Sequence, residues 1–249
     1  MQRPRLAIIG YLIVVILLVA GLVVLTEYRS NTKTDSPGGS VRYGPDQSLP
    51  PPAYYTGIDF DTLKSNDHLT VIPLKSYRQQ VSNYTCGPVA AMTVLSYYNL
   101  SVPDTDAEEA RIAREMNTSE NGTTPVAIAG WFKEQGLNAT WGTNGTYRML
   151  RDNLDAGIPT MVEWMNWGGH WVVVVGYDTR GTEDYIWDDV IIFADSVDCA
   201  DDRVDGITDA NYGQFDSMWF DAHYFPENMR NRAWVAAVPP GHDLPAGTP

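Results

Sequence analysis

The sequence predicts an α+β domain preceded by one transmembrane helix. Two observations point to the domain class. Segments of helical period fill its first half, and adjacent apolar, β-branched segments fill its second, without the regular alternation that marks a βαβ fold. The third observation is Leu6 to Leu25, an uncharged apolar run of about 20 residues, enough to cross a bilayer.

Residues 1–5 carry Arg3 and Arg5, the basic flank expected on the cytosolic side, so the rest of the chain should lie outside. A cleaved signal peptide is the rival reading, but its apolar region is usually shorter and ends in a small-x-small site, which LTEYRS lacks. Residues 6–26 are therefore read as an uncleaved anchor. Residues 27–55, polar and rich in Ser, Gly and Pro, read as a tether, 56–240 as the domain, and 241–249 as a tail. The net charge of −14 argues against nucleic acid, or anionic lipid beyond the anchor itself, as a partner. Six Asn-x-Ser/Thr sequons, at Asn83, Asn99, Asn117, Asn121, Asn138 and Asn144, suit an exported domain.

Within the domain, Leu69–Leu74 reads as a short strand. The stretch Gln80 to Tyr98 holds one of only two cysteines, and a helix starts there, with Cys86 as N-cap and Gly87 and Pro88 in the first turn. A thiol at a helix N-terminus meets the positive end of the dipole and free amides, both of which favour the attacking thiolate. A buried structural cysteine, or a disulfide with Cys199, is the plainer alternative.

A second helix is predicted over Thr105–Met116, with Asp106, Glu108 and Glu109 near its positive end as a solvated acidic face. Thr124 caps and Pro125 opens a third helix through Gln135, closed by Gly136, and Thr146–Ala156 forms a fourth, closed by Gly157. Strands follow at Ile158–Met165, His170–Tyr177, Tyr185–Ala194 and Ala233–Val238.

His170 begins a strongly apolar strand after Gly168-Gly169, an exposed but rigid place suited to a general base. Asp195 ends the next strand and orients His170 if the two strands are neighbours. Gln80 stands six residues before Cys86, where its amide and the Cys86 N–H can converge on a developing oxyanion. Taken singly, a half-buried histidine and a surface glutamine are the ordinary readings. The acidic run Asp201 to Asp209 has calcium-loop spacing only in part, because Arg203 and Tyr212 occupy ligand positions.

Together these residues are more specific. Gln80-x5-Cys86-Gly87-Pro88, the run Gly169 to Asp178 (GHWVVVVGYD) and Phe193-Ala194-Asp195-Ser196 give the chain a resemblance to papain-like cysteine peptidases of the bacteriocin-processing, double-glycine (C39) group, from about Val71 to Val238. The resemblance implies a papain-like fold, with N-terminal helices on an antiparallel sheet. It also implies a thiol peptidase acting on a peptide or protein substrate, with Cys86 as nucleophile, His170 as base, Asp195 as orienting residue and Gln80 in the oxyanion hole. No cofactor or metal is implied. Family members often have Asp-Pro where this chain has Asp195-Ser196. Double-glycine leader cleavage belongs to transporter-linked members, and this chain is more similar to stand-alone ones. Two alternatives stay open: acyl transfer to an amine by the same triad, as in transglutaminase-like or phytochelatin-synthase-like enzymes, and a catalytically silent peptide-binding surface module.

The anchor is testable directly. The full chain should fractionate with membranes, and residues beyond Tyr28 should be open to external protease. A soluble mature form beginning near Thr26 would mark a cleaved signal peptide instead.

Overall fold

The computed structural model describes residues 60–100, 102–182, 185–199, 204–222, 224–242 and 244. The expected anchor, the tether and most of the tail lie outside the described residues, as do Asp201 and His223. Among the described residues no helix is long and apolar enough to cross a membrane.

The chain opens with β1 (Leu69–Val71), then three helices: α1 (Cys86–Tyr97), α2 (Asp106–Glu115) and α3 (Pro125–Glu134). Next come β2 (Asn138–Gly142), α4 (Tyr147–Asp155), β3 (Thr160–Trp164), β4 (His170–Asp178), β5 (Val190–Ala194), β6 (Ile207–Asn211), α5 (Tyr212–Met218) and β7 (Trp234–Val238). The class is α+β with an antiparallel sheet, as expected. Local chemistry writes most helix starts: the Thr105, Thr124 and Thr146 hydroxyls each accept an N–H from the first turn.

The start of α1 differs from expectation by one residue. Thr85, not Cys86, is the N-cap, and its side chain makes no capping bond. Its hydroxyl is drawn instead to a buried carboxylate on α2. Cys86 is thus the first helical residue, and every residue from Cys86 to Leu95 is buried.

The strands lie in the order β2-β7-β3-β4-β5-β6, with β1 also paired to β4, and all pairings are antiparallel. β4 is the spine: its first half pairs with β3, its last three residues with β1, and its other edge with β5. This central place, with α1 packed on it, explains a strand buried at all nine positions. The segment Tyr185–Ala194 is not all strand. Ile186–Asp188 is a turn of 3-10 helix, and the sheet begins at Val190. Strands β2 and β6 went unpredicted. They are the two ends of the sheet order, where one neighbour and solvent ask little of composition, and Asn, Asp and Gly fill them.

A bulge between Val174 and Gly176 shifts the register between β4 and β5. A Cβ at Gly176 would come within 2.9 Å of the Thr70 carbonyl oxygen on β1, so the position admits no side chain without backbone movement. Gly176→Ala should therefore lower unfolding stability by about 1–3 kcal/mol in urea titrations. Gly130→Ala on α3, where a Cβ meets nothing within 4 Å, should leave stability unchanged or raise it by up to about 1 kcal/mol.

Candidate active site

The lead-in to Cys86 is held by one acid. Glu109 on α2 has no exposed surface. Its Oε1 accepts the Val81 N–H at 3.0 Å and the Thr85 hydroxyl at 2.5 Å, and its Oε2 accepts Arg78 Nε at 2.7 Å. The remaining guanidinium nitrogens of Arg78 reach Asp104 and Asp106. Glu109 is therefore no part of a solvated face: its partners lie upstream, and they turn it inward. Gly87, next to Cys86, packs so closely that a Cβ there would sit 2.9 Å from the Thr123 hydroxyl. The Thr123 carbonyl in turn accepts Trp171 Nε1–H at 2.9 Å, so the start of α1 is seated against the residue after His170.

At the head of β4, His170 is buried rather than exposed, at 2 %. Its cross-strand partner is Trp164. Its Nε2–H donates to Asp195 Oδ1 at 2.7 Å, and the Cys86 side chain lies close enough to the imidazole to help raise its pKa. With Nε2 taken by Asp195, Nδ1 is the nitrogen left for sulfur. Asp195 lies beyond β5 as the register requires, and its carboxylate is fully engaged. Oδ1 also accepts the Val197 N–H at 2.8 Å, and Oδ2 accepts the Thr208 hydroxyl from β6 at 2.9 Å. Competing carboxylates are occupied elsewhere: Asp178 with His68, Asp189 with the Tyr147 hydroxyl. Burial pulls the His170 imidazole down. The Asp195 charge, its hydrogen bond and the Cys86 side chain outweigh that and raise it from 6.5 to about 10. The group beside the sulfur is accordingly an imidazolium across the neutral range.

Gln80 is tied to the residue after Asp195. Its N–H donates to the Ser196 carbonyl at 3.0 Å, and its Oε1 accepts the Ser196 hydroxyl at 2.8 Å. That bond fixes which way the amide faces, and Nε2 points to the Ser82 carbonyl at 2.7 Å. A primary amide has two N–H groups, and Ser82 takes one. Gln79 is a second tie, donating to the Asp195 carbonyl and accepting the Asp198 N–H. Both cysteines are free thiols. Burial, with the Asp195 and Asp198 charges adding to it, pushes the Cys199 thiol up to about 11, and Cys86 is the cysteine beside His170.

Cys86 opens onto a cleft walled by Tyr84, Trp171, Tyr224 and Phe225, with Glu163 and Asp221 also lining it. The model of the Peptidase_C39 like family matches residues 71–223. The chain belongs to this family. It is a cysteine-type peptidase.

Among solved structures, the chain is similar to a putative C39-like peptidase from Bacillus anthracis at 12 % identity, covering 69 % of this chain and 98 % of that one, with a TM-score of 0.51. It is also similar to the peptidase domain of Streptococcus ComA, a bi-functional ABC transporter involved in a quorum sensing pathway, at 17 % identity, covering 65 % and 96 %, with a TM-score of 0.45. At these identities the first likeness speaks for the fold alone. No curated protein matches the chain.

In this C39-like chain, four supporting residues escaped the sequence reading: Glu109, Gln79, Ser196 as a ligand of Gln80, and Thr208. Only Gln79 and Ser196 carried a signal, as neighbours of candidate residues.

The pH dependence follows from His170. Its folded pKa lies above the unfolded one, so the imidazolium contributes stability that is fully present below pH 6.5 and is lost as pH rises toward 10. The stability advantage of wild type over His170→Ala, measured by urea unfolding, should shrink steadily across that window. An advantage that grows with pH would show that His170 is held neutral.

Proposed function

We propose that this peptidase hydrolyses peptide bonds with Cys86 as nucleophile, His170 as proton carrier, Asp195 as orienting residue and Gln80 as oxyanion donor. The observation that supports it most is one imidazole hydrogen-bonded to Asp195, at 2.7 Å, and close enough to a thiol at the first position of a helix for that thiol to help raise its pKa. Neither a structural cysteine nor a silent binding module needs that set. The Cys86 sulfur, with its proton on His170, attacks the scissile carbonyl carbon. Negative charge moves to the carbonyl oxygen, where the Cys86 N–H and the second Gln80 N–H receive it. His170 then gives its proton to the leaving amine, and the C–N bond breaks to leave a thioester. Water loses a proton to His170 and attacks the thioester, releasing the acid and returning the sulfur to its resting state. Asp195 keeps Nε2 protonated and the ring plane fixed throughout. Thr208 and the Val197 N–H hold the carboxylate in place for that task.

The apolar run at Leu6 to Leu25 and the arginines before it support a single-pass anchor over 6–26, with the peptidase domain on the outer side. In this reading the substrate is a peptide or protein outside the cell.

Against any peptide found to be cleaved, Cys86→Ala and His170→Ala should each abolish turnover while circular dichroism shows the fold intact. Asp195→Ala should retain measurable activity, because it misorients the base without removing it. Gln80→Ala should lower kcat by about 10²–10³-fold. Full activity in Cys86→Ala would overturn the reading.

A further inference from the structure

The hydrolysis described above makes no use of Glu163, yet Glu163 lines the same cleft as Cys86. It stands on β3 opposite Trp171 and is 1 % exposed. Both of its carboxyl oxygens are shielded, and among the described residues neither has a hydrogen-bond partner. A second carboxyl converges on it. A Cβ placed at Gly169 would lie 2.9 Å from Glu163 Oε1 and 3.4 Å from Asp221 Oδ2, so only glycine leaves both groups room. Asp221 is itself buried, accepting the Phe225 N–H at 2.9 Å and facing Arg230 Nε at 3.7 Å through Oδ1. Glu120 adds a third carboxylate at the exposed rim.

An unpartnered buried carboxyl is costly, and an apolar residue in a strand with this surrounding would be cheaper. The cost is offset if a substrate supplies the missing donor. The cleft's acids set the sign of that donor as positive. Its walls, Trp171, Tyr224 and Phe225, set its body as an apolar stem, over whose length an aromatic face also attracts a cation. Among the described residues no cluster of His, Cys, Asp or Glu is arranged to hold a metal ion. An organic cation on a methylene stem matches both the cleft's acids and its aromatic walls.

We propose that the cleft beside Cys86 is a subsite for a basic substrate side chain, lysine or arginine, whose charged head is received by Glu163 and Asp221. The proposal rests on the peptidase reading and names the substrate class for it. Burial, with Asp221 and Cys86 adding to it and His170 opposing, holds the Glu163 carboxyl well above the usual range in the free enzyme. An ammonium or guanidinium arriving beside Glu163 favours its ionised form, so any proton the carboxyl holds leaves to solvent as the pair forms.

The test uses the full chain and peptidyl vinyl sulfones that differ in one residue near the electrophile: lysine, arginine, norleucine or glutamate. Cys86 alkylation is followed by mass spectrometry. At one position the basic probes should react roughly tenfold or more faster than norleucine, with glutamate slowest. Glu163→Gln should bring the basic-to-norleucine ratio close to one while melting no lower than wild type, since its carboxyl anchors nothing in the free protein. If that variant does not fold, Glu163→Met, of similar length and without the carboxyl, serves in its place. Equal rates for all probes in wild type, or a preference that survives the loss of the Glu163 carboxyl, would overturn the subsite alone. If no peptidyl probe labels Cys86 although iodoacetamide does, the peptidase reading falls and the subsite with it.

Discussion

The approach of the chain to Cys86 depends on the Glu109 carboxylate. Three donors separated along the lead-in segment, Arg78, Val81 and Thr85, end on its two oxygens. Stranding a buried donor costs about 1–3 kcal/mol. Three stranded together would consume much of the roughly 5–15 kcal/mol by which a domain is stable. The acid therefore decides where the chain enters α1, and so where the Cys86 sulfur stands. It also positions the Thr85 hydroxyl, which donates to this carboxylate at 2.5 Å and makes no capping bond.

The sheet supplies the other half of the site, and the two halves are fastened at Gln79 and Gln80. These residues share four hydrogen bonds with Asp195, Ser196 and Asp198, two through each glutamine, one of them from the Gln80 backbone N–H. The lead-in to Cys86 thus cannot shift without moving the strand exit that carries Asp195. Ser196 acquires a reason here. Proline at that place would lack the hydroxyl that holds Gln80 Oε1, and with it this means of turning the amide nitrogen away from Ser196. The chain's departure from the Asp-Pro pattern is thereby tied to how the Gln80 amide is oriented.

What the sequence made legible was what local chemistry writes. Threonine caps, Pro125 at a helix start, Gly136 and Gly157 past helix ends, and the apolar run of β4 all depend on residues within a few positions of one another. The proximity of His170 and Asp195 was readable too, because adjacent antiparallel strands place the start of one near the end of the other. Burial of single polar residues was not. Thr105–Met116 reads as a charged, solvated helix, and only partners upstream in the chain, Arg78, Val81 and Thr85, turn Glu109 inward. Thr208 sits in an edge strand whose composition barely signals a strand at all, and its bond to Asp195 is a consequence of pairing. Edges and buried acids share this property: their structure is decided by partners distant in sequence.

Glu109 and Glu163 make the point within one molecule. They are the same residue type, at 0 % and 1 % exposure, on elements that both pack near Cys86. One receives three donors; the other receives none. Burial alone does not separate a structural acid from a functional one, and neither does proximity to the nucleophile. Satisfaction does: a carboxylate whose lone pairs are filled by its own chain has spent its interaction free energy on the fold. A carboxyl kept out of water with its oxygens unused still holds that free energy, and the surface it lines is where a substrate can draw on it.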